Sequence, residues 1–161
     1  MEKSLGKVKH YFCEDDLCIN GKEVYFYTMG IKNSNDLEEN IQYFYEIVDK
    51  YFELNEIVKK AIIDSFDLEE GLEVKYFFSE FFRYKNEKEL IKVFGSKYFE
   101  EINIKSFIEK IQCNMLLVDY THDDIQIRFS YIVPDFKKSY KQSLYVFMNK
   151  EFNVCSYTAF I

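Results

Sequence analysis

The sequence predicts an α+β fold: an antiparallel sheet built from an N-terminal hairpin and a C-terminal meander, with a block of helices packed on one face. Near the start of the chain, an Asn-Gly pair stands between two short segments of alternating apolar and polar residues. Apolar residues then recur every three to four positions as far as residue 111, and they alternate again from residue 114 onward. Strands, helices and strands in separate blocks are typical of helices covering one face of an antiparallel sheet.

The first hairpin is predicted around residues 20–21, because Asn-Gly is the favoured centre of a two-residue turn. This turn places Leu17 opposite Val24 and puts both on the apolar face. Carried back, the same register would put Asp15 on the core side. We therefore expect the strand to bend, or to begin after the acidic triplet that contains Asp15.

Five helices are predicted between the two strand blocks. The first two start near Asn35 and Asn55, and Asn35 with Glu38 has the spacing of a capping pair. The run EVKYFFSEFFRY has its Val and Phe residues on one helical face and is predicted to be the third helix, with a buried strand as the alternative. Short fourth and fifth helices are predicted after Asn86 and from Asn103. The inward residues of the first helix are predicted to be Leu37, Ile41, Phe44, Val48 and Phe52.

The last third of the chain predicts two further strand pairs. If the first loop spans residues 121–124, six apolar side chains of its two strands fall on one face. Asp119 is then the diagonal neighbour of Arg128, which predicts a cross-strand ion pair. The second pair is predicted on either side of residues 150–151.

Chain length and composition predict a single globular domain over residues 1–161. The charge balance indicates which partners are favoured. The chain carries 21 basic and 28 acidic residues, a net charge of −7, which repels phosphate backbones and favours a basic protein partner. Neither a signal-peptide pattern nor an apolar run long enough to span a membrane is visible. The expectation is therefore a cytoplasmic protein that binds neither nucleic acid nor membrane, with its four cysteines present as thiols.

No metal or cofactor is expected. His10, Cys13 and Cys18 stand near one another, but on one continuous strand the two cysteines would point to opposite faces. On that strand His10 would lie roughly 26 Å from Cys18, at about 3.3 Å per residue. The sequence also lacks a glycine-rich phosphate loop and a calcium-binding loop.

A catalytic histidine is the alternative to a binding role. His122 is flanked by Asp123 and Asp124 in a predicted loop, and a histidine beside carboxylates can act as an oriented base. A small hydrolase or transferase using these three residues is therefore the second hypothesis. The favoured interpretation is a solvated turn without catalytic residues, because no nucleophile motif accompanies the histidine.

The leading hypothesis is a protein-binding module with an acidic surface. Tyr76 and Tyr84 lie off the phenylalanine stripe of the third helix, and exposed tyrosines set among acids are typical interface residues. Together with the acidic triplet Glu14, Asp15 and Asp16, they are the predicted partner-binding residues. Ordinary surface exposure of tyrosine is the alternative reading. A self-associating structural protein, hence a homo-oligomer, is the third hypothesis.

The layout of the chain also resembles a known family. The segments LCINGKEVYFY, LEENIQYFYEIVDKYFELNEIVKKAI, EVKYFFSEFF and LVDYTHDDIQIRFSYIV follow one another in this order. This arrangement resembles the small bacterial proteins grouped as domain-of-unknown-function family two thousand and four. The resemblance implies an α+β fold and no established activity, and it supplies no catalytic residues. Some such small acidic cytoplasmic proteins also resemble the immunity proteins of bacterial toxin systems.

Overall fold

The computed structural model describes residues 9–13, 16–20, 24–31, 36–121, 124–134 and 142–160, with residues 9–13 and 16–20 described by their backbone alone. Within these ranges the chain forms seven strands and five α-helices, joined in part by short 3-10 turns. The strands are β1 Lys9–Cys13, β2 Asp16–Asn20, β3 Tyr25–Met29, β4 Gln112–Asp119, β5 Gln126–Ile132, β6 Ser143–Asn149 and β7 Val154–Phe160. The helices are α1 Leu37–Asp49, α2 Tyr51–Ser65, α3 Leu72–Tyr84, α4 Glu87–Phe94 and α5 Ile104–Ile108.

The sheet is mixed, so the predicted all-antiparallel sheet is wrong at one pair of strands. The strand order is β1-β2-β3-β4-β5-β6-β7, and β3 and β4 run parallel while the other neighbours run antiparallel. All five helices lie between β3 and β4 in the chain. They form a crossover that returns the chain to the end of the sheet where β3 began, as parallel neighbours require.

The hairpin of β2 and β3 has a different register from the predicted one. Cys18 pairs with Tyr27 and Ile19 with Phe26, so more than two residues connect the strands. Because the shift is an even number of residues, each position keeps its predicted face. Phe26 is buried and Tyr25 is exposed, as the alternation predicts.

Strand β1 is an addition that the sequence analysis did not predict. It pairs with β2, with Cys13 opposite Asp16 and Tyr11 opposite Cys18. The expected bend at the acidic triplet is therefore confirmed, while β2 begins at Asp16, the last residue of the triplet, and not after it. The chain reverses direction between Cys13 and Asp16, so the premise of one continuous strand through both cysteines is wrong. The separation of roughly 26 Å expected between His10 and Cys18 is wrong for the same reason, because His10 pairs with Ile19, the neighbour of Cys18.

The register of β4 and β5 is confirmed. Val118 pairs with Ile127 and Leu116 with Phe129, and all four side chains are buried.

The predicted ion pair across β4 and β5 does not form, although Asp119 and Arg128 are diagonal neighbours. Oδ1 of Asp119 accepts hydrogen bonds from the backbone N–H and the hydroxyl of Thr121. The guanidinium of Arg128 lies over the ring of Tyr145, 5.1 Å from its centre. The Asp119 carboxylate is thus bound by a local turn, and the Arg128 guanidinium by an aromatic ring, so the two do not contact each other.

The helices described here all pack on the same face of the sheet. Each contributes buried side chains to one core that also holds the inner-face residues of β3 to β6. The third helix is confirmed with its predicted inward residues: Val74, Phe77, Phe78, Phe81 and Phe82. None of the helices in the described ranges is both long and apolar enough to cross a membrane.

The boundary between α1 and α2 differs from the prediction. Helix α2 begins at Tyr51 and not near Asn55, so the apolar spacing from Leu37 to Phe52 runs across two helices. Both ends of that predicted stripe are exposed, Leu37 to 41% and Phe52 to 46%. Asn55 is instead a buried residue whose Oδ1 accepts a hydrogen bond from the Tyr131 hydroxyl at 2.8 Å.

Helix α3 protects the edge of the sheet at β7. The Glu73 carboxylate accepts a hydrogen bond from the backbone N–H of Ala159 at 3.1 Å. Unpaired N–H groups of an edge strand can recruit strands from other molecules. Glu73 satisfies one of these donors.

We expect Glu73→Ala to lower the free energy of unfolding by about 1 kcal/mol, the net worth of one hydrogen bond. Hydrogen exchange of the Ala159 amide should become faster in the same variant. Glu73→Gln keeps an acceptor oxygen and is the matched control, with exchange close to that of the wild type. Equal exchange rates in the wild type and Glu73→Ala would contradict this role.

Candidate functional site

Of the three predicted catalytic residues, the structure describes only Asp124. His122 and Asp123 lie outside the described residues, while Asp124 is exposed and lines a cleft of about 300 Å³. Catalysis by His122 therefore stays a prediction. Among the described side chains, no three His, Cys, Asp or Glu residues are placed to hold a metal ion.

The predicted partner-binding residues fall into two groups. Glu14 and Asp15 lie outside the described residues, and Asp16 is described only as the first backbone position of β2. Tyr76 and Tyr84 of α3 are exposed to 51% and 61%. The two tyrosines are therefore available to a partner.

A concave site that the sequence analysis missed lies between α1 and two turns of the sheet. It has a volume of about 440 Å³ and includes residues of α1, Ile125 ahead of β5, and the turn between β6 and β7. Its charged lining consists of Glu39, Glu46, Glu151 and Lys150. We refer to this site as the acidic groove, because three carboxylates face one ammonium group.

Two tyrosine hydroxyls fix the walls of the acidic groove. The Tyr43 hydroxyl of α1 donates to the carbonyl oxygen of Lys150 at 2.9 Å. The Tyr120 hydroxyl, just after β4, donates to the carbonyl oxygen of Asn40 at 2.8 Å. Helix α1 is thus fastened to both neighbouring turns, so the groove is held open by bonds within the protein.

The turn between β6 and β7 is tightly specified. Oδ1 of Asn149 accepts hydrogen bonds from the backbone N–H groups of Glu151 and Asn153. Phe152 has a φ of 63°, an uncommon conformation for a bulky residue. Its ring stacks on Tyr43 at 6.5 Å between centres, and this contact helps to hold the turn against α1.

The pKa of the Tyr43 hydroxyl reflects both its burial and the nearby carboxylates. Burial, followed by the negative charges of Glu46 and Glu151, raises the pKa of Tyr43 from 10.0 to about 12. The two carboxylates disfavour a further negative charge at this position.

The two cysteine side chains that the structure describes lie in different environments. Burial raises the pKa of Cys113 from 9.0 to about 12, so this thiol is protonated at neutral pH. Cys113 donates to the carbonyl oxygen of Met115 at 3.4 Å inside the core. Cys155 is exposed and lines the cleft that also contains Asp124.

Sequence spacing could not have indicated the acidic groove, because Tyr43 and Lys150 are 107 residues apart. Comparisons with protein-family models, with curated proteins and with solved structures found no match. The family resemblance of the sequence layout therefore stays a prediction.

Proposed function

We propose that this protein is a non-enzymatic binding module that holds a basic side chain of a protein partner in the acidic groove. The observation that carries this proposal is that two carboxylates without an ion pair among the described residues, Glu39 and Glu151, line a concavity of about 440 Å³. Concave sites with a few convergent polar groups are the usual places where proteins bind ligands. Walls of low dielectric constant also strengthen the attraction between such a site and an opposite charge.

The groove supports a lysine or arginine side chain in particular. Its lining includes the apolar surfaces of Ile125 and Tyr43, on which a long aliphatic stem can lie. Glu46 already forms an ion pair with Lys50 at 2.5 Å. Glu39 and Glu151 take part in no ion pair among the described residues, and they are the carboxylates proposed to receive the partner's charge.

An immunity-like role is the more specific form of this proposal. Its partner is a basic toxic protein, and the complex forms in the cytoplasm of a bacterium. The net charge of −7 supports it by speeding the encounter with a basic partner.

The proposal is tested with a capped tetra-arginine peptide, followed by amide chemical shifts of the isotope-labelled protein. We expect saturable shifts at the amides of Tyr43, Lys150 and Glu151. The double variant Glu39→Gln/Glu151→Gln should weaken binding about fivefold or more, which corresponds to about 1 kcal/mol.

The matched control is Glu100→Gln/Glu109→Gln, which changes the net charge equally at two exposed carboxylates that do not line the groove. This control should weaken binding less than about twofold, the effect of net charge alone in moderate salt. Equal weakening by the two double variants, or shifts spread evenly over the surface, would contradict binding in the groove.

A further inference from the structure

Three large apolar side chains lie exposed at four-residue intervals around the start of α3. Leu68 is 52% exposed, Leu72 62% and Tyr76 51%. Leu68 precedes the 3-10 turn Glu69–Gly71 that leads into α3, and Leu72 and Tyr76 are one helical turn apart on the face turned away from the core. We refer to these three side chains as the apolar stripe.

Four acidic residues, at positions 67, 69, 70 and 73, are close neighbours of the apolar stripe in the sequence. The Nζ of Lys75 lies 3.1 Å from Oδ1 of Asp67 and also 5.1 Å from the centre of the Phe66 ring, so this cation is already engaged. An exposed apolar surface with a polar rim is typical of a protein docking site. Asp67 is paired with Lys75 and Glu73 binds the backbone N–H of Ala159, whereas Glu69 and Glu70 are exposed and take part in no ion pair among the described residues. We refer to Glu69 and Glu70 as the framing carboxylates.

We propose that the apolar stripe docks a basic amphipathic helix of a partner protein. Leu72 and Tyr76, four residues apart on α3, are separated by about 6 Å along the helix axis, while Leu68 stands before the helix in an extended conformation. A partner helix with apolar residues at this spacing can therefore follow the stripe, while its lysines and arginines reach the carboxylates on either side. The proposal shares with the proposed function the premise of a basic partner, but it concerns a different surface.

Charge complementarity also decides against a second copy of the chain as the occupant. A two-fold symmetric contact would place the stripe of one copy on the stripe of the other. The framing carboxylates of both copies would then face each other, and like charges at an interface oppose association. A basic helix brings the opposite charge to the same rim.

The apolar stripe and the acidic groove lie at different ends of β7. Glu73 binds the N–H of Ala159, whereas the groove includes the turn that precedes Val154. Five residues of strand separate the two positions, roughly 17 Å at about 3.3 Å per residue. Substitutions on one surface should therefore leave binding at the other unchanged.

Isothermal titration with two synthetic 14-residue peptides tests the proposal. The first contains leucine and lysine arranged so that the leucines form one helical face, and the second contains the same residues in an order without such a face. We expect the first peptide to bind and the second to bind at least about tenfold more weakly. Equal affinity of the two peptides would overturn the proposal, because charge alone would then explain binding.

Tyr76 and Tyr84 provide a matched pair of variants, since both are exposed tyrosines of α3 about 12 Å apart along the helix. Tyr76→Ser should weaken the helical peptide about tenfold, while Tyr84→Ser should change its affinity less than about twofold. Circular dichroism and thermal melting confirm that both variants are folded. Equal weakening by both variants would overturn the assignment to the apolar stripe.

Two further outcomes separate this proposal from the others. Glu39→Gln/Glu151→Gln should leave binding of the helical peptide unchanged, so failure of the acidic groove and failure of the apolar stripe are distinguishable. Analytical ultracentrifugation shows whether the free protein self-associates. A dimer that Tyr76→Ser dissociates would make a second copy the occupant and would overturn the proposal.

Discussion

Phe107→Ala is expected to lower the free energy of unfolding by about 4 kcal/mol, as for other fully buried phenylalanines. The ring is completely buried, and its centre lies 4.0 Å from that of Phe78 and 4.8 Å from that of Phe94. Phe81 and Phe82 of α3 surround it as well. Alanine would leave a cavity beneath all four rings, and the melting temperature should fall by about 10 °C.

Phe52→Ala is the control for this prediction. Phe52 is 46% exposed, although the spacing of the sequence places it on the inner face of the first helix. Its truncation should cost less than about 1 kcal/mol, because no large cavity forms. Calorimetry of both variants gives the comparison, and similar losses would mean that Phe107 is not held as tightly as its contacts indicate.

The second large effect is expected at Gly71, which lies in the turn between α2 and α3. A Cβ atom at this position would lie 2.0 Å from the backbone oxygen of Ser65 and 2.7 Å from its carbonyl carbon. Backbone atoms at the end of a helix cannot move aside as a flexible side chain can. Gly71→Ala is therefore expected to cost about 3 kcal/mol, at the upper end for an overpacked site.

Gly95→Ala separates this clash from the general cost of replacing glycine. Gly95 ends α4 with a φ of 82°, and no heavy atom lies within 4 Å of an added Cβ atom. The variant should cost about 1 kcal/mol through backbone strain alone. Denaturant unfolding measures both variants, and a loss at Gly71 no larger than that at Gly95 would remove the close approach as the explanation.

The parts of the fold that the sequence predicted correctly depend on local information. The inward residues of α3 follow from one uninterrupted helix, in which Phe77 and Phe81 are one turn apart. The β4 and β5 register follows from a loop between residues 121 and 124, and the flanking strands keep their alternation from Met115 to Asp119. In both cases the neighbours along the chain are also the neighbours in space.

The parts that the sequence did not predict depend on distant partners. The Asn-Gly pair at residues 20–21 favours a two-residue turn, but the observed pairing places Cys18 opposite Tyr27, so the local preference is overridden. The parallel pairing of β3 with β4 depends on how the five intervening helices pack and bring the chain back to the sheet. The acidic groove has the same origin, since its walls come from α1 and from the turn at Lys150.

The parallel pair β3–β4 also has a consequence for how the sheet assembles. These neighbours are separated along the chain by residues 30–111, whereas β4 to β7 are joined by short connections. Bringing distant segments together costs loop-closure entropy before any contact rewards it, and such pairings slow folding. We expect the four C-terminal strands to associate early. The pairing of β3 with β4, which begins at Tyr25, should form late, after the intervening helices have compacted the chain.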